Sequence, residues 1–278
     1  MLRRIGILCI MLLLTTLLII GACKKKRDDN DNEDSGDTAP VKTRFVPKGD
    51  EGTISGVVKY DGAAPTPKRI DMGQDANCAS AAGDKFTDDL VVTDGKLDNV
   101  YVYLQGGSVD KFSYAPPSDP VVLDQKGCRY DPHIVALQVN QTLRVTNSDP
   151  TTHNVHPSPK SNAEWNQSQP PSAAPIDKKF TRKETLIPVK CNQHPWMKAQ
   201  IGVLDHPFFA VSKKDGTYTI KGVPPGTYTV VFWHETLGEQ KQSVTVAAKE
   251  TKTADLTYKG SAAFIPSSLK VEAALVLP

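Results

Sequence analysis

All six histidines of the chain lie after residue 132, and three of them fall in two short motifs that also hold a cysteine and a methionine. The first motif is Thr152-His153-Asn154-Val155-His156. The second is Cys191-Asn192-Gln193-His194-Pro195-Trp196-Met197. At Cys-x2-His-x2-Met spacing, one loop delivers a thiolate, an imidazole and a thioether. A second imidazole from elsewhere in the chain completes a trigonal His2Cys set with a weak axial Met. Thiolate and thioether are soft donors and imidazole serves both copper oxidation states, so this set suits copper. The same residues have plainer readings. Cys-x2-His can be half of a zinc site, but no Cys-x2-Cys or His-x3-His supplies the other half. Cys191 can instead be half of a disulfide. His156 competes with His153 for the role of first imidazole.

The remaining histidines read as structural. His133 sits near a strand start, His206 at a turn in His206-Pro207-Phe208-Phe209, and His234 at a strand end behind Trp233. Only four Met occur in the chain (Met1, Met11, Met72 and Met197), which disfavours copper delivery by Met-rich tracts. No second histidine-rich set accompanies the first, so a copper enzyme with its own substrate pocket is not expected.

The elements that must position these residues are strands. Thr53–Tyr60, Leu90–Thr93, Val100–Leu104, Ile134–Val139, Thr142–Thr146, Thr185–Val189, Thr217–Ile220, Thr227–Trp233 and Gln242–Val246 are rich in β-branched and aromatic residues. Gly, Pro, Asn or Asp bound most of them. No stretch beyond the N-terminal apolar run sustains a strong helical period. The fold class expected is all-β, of sandwich or barrel type. Residues 157–175, with five prolines among Ser, Asn and Gln, read as a long surface loop.

The N-terminus reads as an address. Arg3 and Arg4 precede an apolar run from Ile5 to Ile20, and Gly21-Ala22-Cys23 follows. The end of this segment resembles a bacterial lipobox, which implies cleavage before Cys23 and lipid on its sulfur. An uncleaved anchor is the alternative, and both tether the body outside the cytoplasm. The chain carries 33 Lys and Arg against 31 Asp and Glu; losing Arg3 and Arg4 leaves 31 of each. That balance is wrong for a nucleic-acid binder. Residues 23–48 lack apolar periodicity and read as a disordered tether. A Lys after the lipidated Cys, by the same resemblance, implies the outer membrane.

Residues 97–205 resemble a cupredoxin, on the strength of Cys191–Met197 and of Thr146-Asn147-Ser148-Asp149 followed by His153-Asn154-Val155. The loop is most similar to the short amicyanin type. The resemblance implies a Greek-key sandwich holding copper on His153, Cys191, His194 and Met197. It implies that Asn154 hydrogen-bonds beside the thiolate loop, and that an exposed edge of His194, with Trp196, is the port for electrons. Residues 206–258 resemble a carboxypeptidase-regulatory, transthyretin-like β-sandwich, through Asp215-Gly216-Thr217-Tyr218-Thr219-Ile220 and Gly222-Val223-Pro224-Pro225-Gly226. Residues 49–96 form an N-terminal β segment with some of that flavour; residues 259–278 carry no signal. With Cys9 in the leader, Cys23 lipidated and Cys191 given to copper by the resemblance, Cys78 and Cys128 are expected to pair. The expected function is one-electron transfer by a lipid-anchored blue copper protein with redox-protein partners. The rival is a structural or binding lipoprotein of the cell envelope whose copper serves storage or stability.

Overall fold

The computed structural model describes residues 42–80 and 85–260. The chain is an all-β protein, and the four-residue helix Ala76–Ala79 is the single helix among the described residues. The segment expected to be a signal peptide, Cys23 and residues 261–278 lie outside them. Two hydrophobic cores, each between two sheets, organise the strands.

The first core is built mainly from residues 121–204. One sheet orders Ile176–Lys179, Thr142–Asn147, Val121–Gln125 and Tyr130–Asp131. The other orders Gln167–Gln169, His153–Pro157, Glu184–Lys190, Lys198–Leu204 and Ile134–Gln138. Each sheet contains one parallel pair, Val121–Gln125 with Thr142–Asn147 and Ile134–Gln138 with Lys198–Leu204. A parallel pair cannot close through a tight hairpin, so the chain crosses between sheets repeatedly. Leu123, Leu143 and Val145 from the first sheet join Leu137, Ile187 and Ile201 from the second, all fully buried. Within the proline-rich stretch Pro157 ends the strand His153–Pro157, and Gln167–Gln169 adds a further strand at the sheet edge.

The second core is discontinuous in sequence. Gly52–Asp61 lies between Thr217–Val223 and the hairpin Val92–Thr93/Lys96–Leu97, and pairs in parallel with Thr251–Thr253 and Leu256–Lys259. Asp94 and Gly95, at φ 49° and 70°, supply the two left-handed residues that a tight hairpin turn requires. The facing sheet orders Phe209–Val211, Tyr101–Gln105, Gly226–His234 and Gly238–Val246. The N-terminal strand thus pairs within the C-terminal module.

Two segment boundaries differ from expectation. Tyr101–Gln105, expected to open the 97–205 cupredoxin segment, is instead a central strand of the second sandwich, paired with Phe209–Val211 and Gly226–His234. Its sequence explains this. Val102 and Leu104 enter the second core, while Tyr101 and Tyr103 on the other face meet Ile134, Leu204 and Val231 in a third cluster. A strand covered on both faces belongs at the centre of a sheet. At that seam a Cβ on Gly202 would come 2.7 Å from the Tyr101 ring, so close approach demands glycine there. The tether also ends earlier than residue 48. Thr43–Arg44 pairs in parallel with Phe112–Ser113, and Phe45 packs against Phe112, Tyr114 and Phe208. The aromatic ring is what draws this segment down.

Candidate metal centre

The loop Cys191–Met197 joins the antiparallel strands Glu184–Lys190 and Lys198–Leu204. Two backbone bonds pin it. Cys191 N–H donates to the Met197 carbonyl (3.2 Å) and Met197 N–H to the His194 carbonyl (2.9 Å). His153 opens the neighbouring strand His153–Pro157. The fold so brings His153, Cys191 and His194 together, with one ligand atom of each within 4.8 Å of the others and all three residues buried. His153 Nδ1 lies 2.9 Å from His194 Nδ1, and His194 Nδ1 lies 3.6 Å from the Cys191 sulfur. Met197 is 1% exposed in the same core cluster as Cys191.

Each imidazole turns its other nitrogen to a carboxylate. His153 Nε2 is 2.9 Å from Asp149 Oδ2, and His194 Nε2 is 3.2 Å from Asp75 Oδ2. A carboxylate accepts, so Nε2 is the protonated nitrogen of each neutral ring. Both Nδ1 lone pairs then point at one another and at the Cys191 sulfur. Two imidazole nitrogens and one sulfur so converge in a buried space, an arrangement that a cation among them would stabilise. The donor set, two imidazole nitrogens and one cysteine sulfur that binds as the thiolate once its proton leaves, fits a soft or borderline metal ion. Burial pushes the His153 pKa down, against the pull of Asp149, which favours the neutral imidazole a metal needs.

The two aspartates are themselves held. Asp75 caps the helix Ala76–Ala79: its Oδ1 accepts from Asn77 N–H (2.8 Å) and Cys78 N–H (3.1 Å), and its Oδ2 from the Thr151 hydroxyl (2.9 Å). Burial raises the Asp75 carboxyl, but Thr151, Cys78, His194 and Asn77 together outweigh it and hold the pKa down at about 2. Asp149 accepts from Gly127 N–H (2.6 Å) and Cys128 N–H (2.7 Å). Gly127 and Cys128 both adopt left-handed φ, 63° and 55°, which turns successive amides onto one carboxylate. Cys78 and Cys128 form a disulfide, with Cα atoms 5.6 Å apart.

Asn154 lies behind the thiolate. Its Oδ1 accepts from Asn192 N–H (2.7 Å) and from the Cys191 thiol (3.3 Å), while its Nδ2 donates to Asn166 (2.7 Å). Tyr130 donates to the Asn154 carbonyl at 2.5 Å. His156, the rival first imidazole, points away from the cluster; Asn192 Oδ1 (3.2 Å) and Glu164 Oε1 (2.5 Å) occupy its ring nitrogens. His133, His206 and His234 are buried elsewhere: His133 lies between Asp88 and Glu235, and Nδ1 of His206 and of His234 accepts local backbone amides.

One expectation is corrected. His194 does not present an open edge, being only 3% exposed. Asp75 and the Cys78 sulfur, 3.8 Å from Nε2, cover it. Trp196 lies against the His194 ring at 5.2 Å and donates its indole N–H to the Cys128 carbonyl (3.1 Å), so it packs the loop beneath this cover. The segment around Met72 and Cys78 is the cause, because it buries these two residues in the core of the first sandwich. Asp75 and Asp149 were not legible as site residues. Asp149 stands four positions before His153, a visible hint; Asp75 is 119 positions from His194, and no local pattern joins them.

Residues 192–259 match the carboxypeptidase regulatory-like domain. No curated protein matches the chain. Among solved structures, the chain is similar to the Cu-containing nitrite reductase from Thermus scotoductus SA-01 (18% identity, TM-score 0.30, 32% of this chain and 23% of the reductase). It is similar to amicyanin from Paracoccus versutus (19% identity, TM-score 0.28, 32% of this chain and 91% of amicyanin). It is also similar to a purple cupredoxin from Nitrosopumilus maritimus (17% identity, TM-score 0.26, 31% of this chain and 99% of that protein). The chain spans about a quarter of the reductase's length.

Proposed function

We propose that His153, Cys191, His194 and Met197 hold one copper ion, and that the protein transfers single electrons outside the cytoplasm while anchored by lipid at Cys23. The observation that supports this best is the convergence of two Nδ1 lone pairs and one sulfur, 2.9 and 3.6 Å apart, with both Nε2–H groups engaged by carboxylates. Copper in such a set supplies a one-electron couple, with the thiolate as its strongly covalent ligand. The chain's own residues supply the rest. The buried loop excludes water, Asn154 fixes the sulfur and the following amide, and the strands keep the ligands from moving as charge changes. No substrate chemistry is required, so the protein is not an enzyme in this reading. Its partners are redox proteins of the periplasm or cell surface.

The cover over His194 favours a second reading, in which copper serves storage or stability in an envelope protein. One experiment separates the two. The full chain in detergent is loaded with Cu(II), and its visible spectrum, EPR and voltammogram are recorded. An intense thiolate-to-copper band, narrow hyperfine splitting and reversible one-electron waves are expected, all lost in Cys191→Ser. A blue site with no reversible wave would support storage. A colourless protein with ordinary tetragonal signals would sink both roles for this cluster.

A further inference from the structure

Neither half of the Cys78–Cys128 disulfide belongs to the ligand loop, yet both halves reach the metal centre in the same way. The Cys78 amide donates to Asp75, which takes Nε2 of His194; the Cys128 amide donates to Asp149, which takes Nε2 of His153. The bridge ties the two half-cystines together across 50 residues of sequence. Each ligand imidazole is therefore oriented through a half-cystine amide and a carboxylate, and the two arms close on one covalent link.

We propose that Asp75 and Asp149 are positioning residues that hold both histidines with their Nδ1 lone pairs toward the metal, and that they bias the site toward the more highly charged oxidation state. The inference rests on the copper reading above. A carboxylate accepting from Nε2–H makes the imidazole a stronger donor, and such outer partners are typically worth about 10–100-fold in metal affinity. Added electron density at the ligand stabilises Cu(II) more than Cu(I), so the carboxylates lower the reduction potential.

Asp75 offers the cleaner test, because its two oxygens have separate duties. Oδ1 serves the helix cap and Oδ2 serves His194 and Thr151. In Asp75→Asn the two backbone donors keep the remaining oxygen on the cap side, so the amide NH2 faces Nε2. It can only donate there, which moves the ring proton to Nδ1, the metal side. Asp75→Ser keeps an equally good cap and removes the partner of His194 altogether.

The experiment uses the full chain in detergent, with Cu(II) and Cu(I) affinities from competition titration, the midpoint potential, and nitrogen NMR of His194 in metal-free protein. In the wild type the proton is expected on Nε2; in Asp75→Asn it is expected on Nδ1. Both variants are expected to lose about 10–100-fold in Cu(II) affinity and less in Cu(I) affinity. A tenfold difference between the two losses raises the potential by about 59 mV. Asp75→Ser, with its cap intact, is expected to melt within about 2 °C of the wild type, the shift that about 1 kcal/mol or less produces in a chain of this size. Wild-type affinity and potential in both variants, or an Nε2 proton in Asp75→Asn, would overturn the positioning role. Failure of the copper reading would look different: the wild type itself would not turn blue, while the NMR arm still decides the tautomer.

Discussion

Removing the Cys78–Cys128 bridge tests how the cover is held. The two cysteines are 50 positions apart and each is 2% exposed. Opening a loop of that length returns about 14 cal/mol/K of chain entropy to the unfolded state, or about 4 kcal/mol at 25 °C. Alanine at both positions avoids leaving buried hydroxyls, so loop entropy dominates the change. For a folded body of this size, each kcal/mol moves the midpoint by about 2–4 °C, which gives a fall of about 8–16 °C. The measurement is calorimetry on metal-free wild type and Cys78→Ala/Cys128→Ala, because bound metal adds its own linkage to the midpoint. The loss should fall on the transition of the first sandwich, whose core contains both half-cystines, and leave the second sandwich unchanged. A fall below about 3 °C, under 2 kcal/mol by the same scaling, would show that the segment around Cys78 is already confined without the bridge. The loop-closure reasoning would then be wrong.

Other outcomes follow from particular contacts. Burial lowers the His133 pKa, but Glu235 and Asp88 outweigh it and Arg129 opposes them, so the folded pKa lies above 6.5. The stability His133 confers is then fully present below about pH 6.5 and is lost as pH rises through the folded value; urea unfolding of wild type and His133→Phe should show a gap that is constant on the acid side and narrows as pH rises through that value. Leu143→Ala, at a fully buried core position, should cost about 2–5 kcal/mol. Its neighbour Arg144→Ala, which removes an exposed ion pair to Asp177, should cost under about 1 kcal/mol in the same denaturant assay. Tyr258→Phe removes a buried hydroxyl that donates to the Phe232 carbonyl at 2.9 Å and should lower the unfolding free energy by about 1 kcal/mol.

Local chemistry made most strands and the ligand loop readable. Asp94-Gly95 announces its hairpin because only such residues take two left-handed conformations cheaply, and Cys-x2-His-x2-Met places three donors in one turn whatever surrounds it. The allocation of strands to cores was less visible. Tyr101–Gln105 has the same β-branched and aromatic composition as strands of the first sandwich, and only its pairing partners, more than 100 positions away, assign it to the second. The cover was invisible for a related reason. Residues 62–80 hold little regular structure beyond the helix Ala76–Ala79, so no periodicity marks them. Their contribution is a capping carboxylate and a disulfide, whose targets are set by tertiary contact alone. The port at His194 was expected on an uncovered surface, and those unpatterned residues are what cover it.

The antiparallel pairing of Tyr101–Gln105 with Phe209–Val211 has a consequence for assembly order. Leu104 N–H donates to the Phe208 carbonyl, so the two ends of everything between them meet as in a hairpin whose turn is an entire domain. Closing a flexible loop of about 100 residues in place of a turn of about four costs roughly 3 kcal/mol of chain entropy. That cost disappears if the intervening sandwich has already folded and presents its two ends side by side. The least costly route thus completes the first sandwich first, as a nucleus on which the split outer sandwich closes. The Cys78–Cys128 bridge then ties residues that precede this insertion to its body, so the inserted sandwich is completed by a segment from outside it.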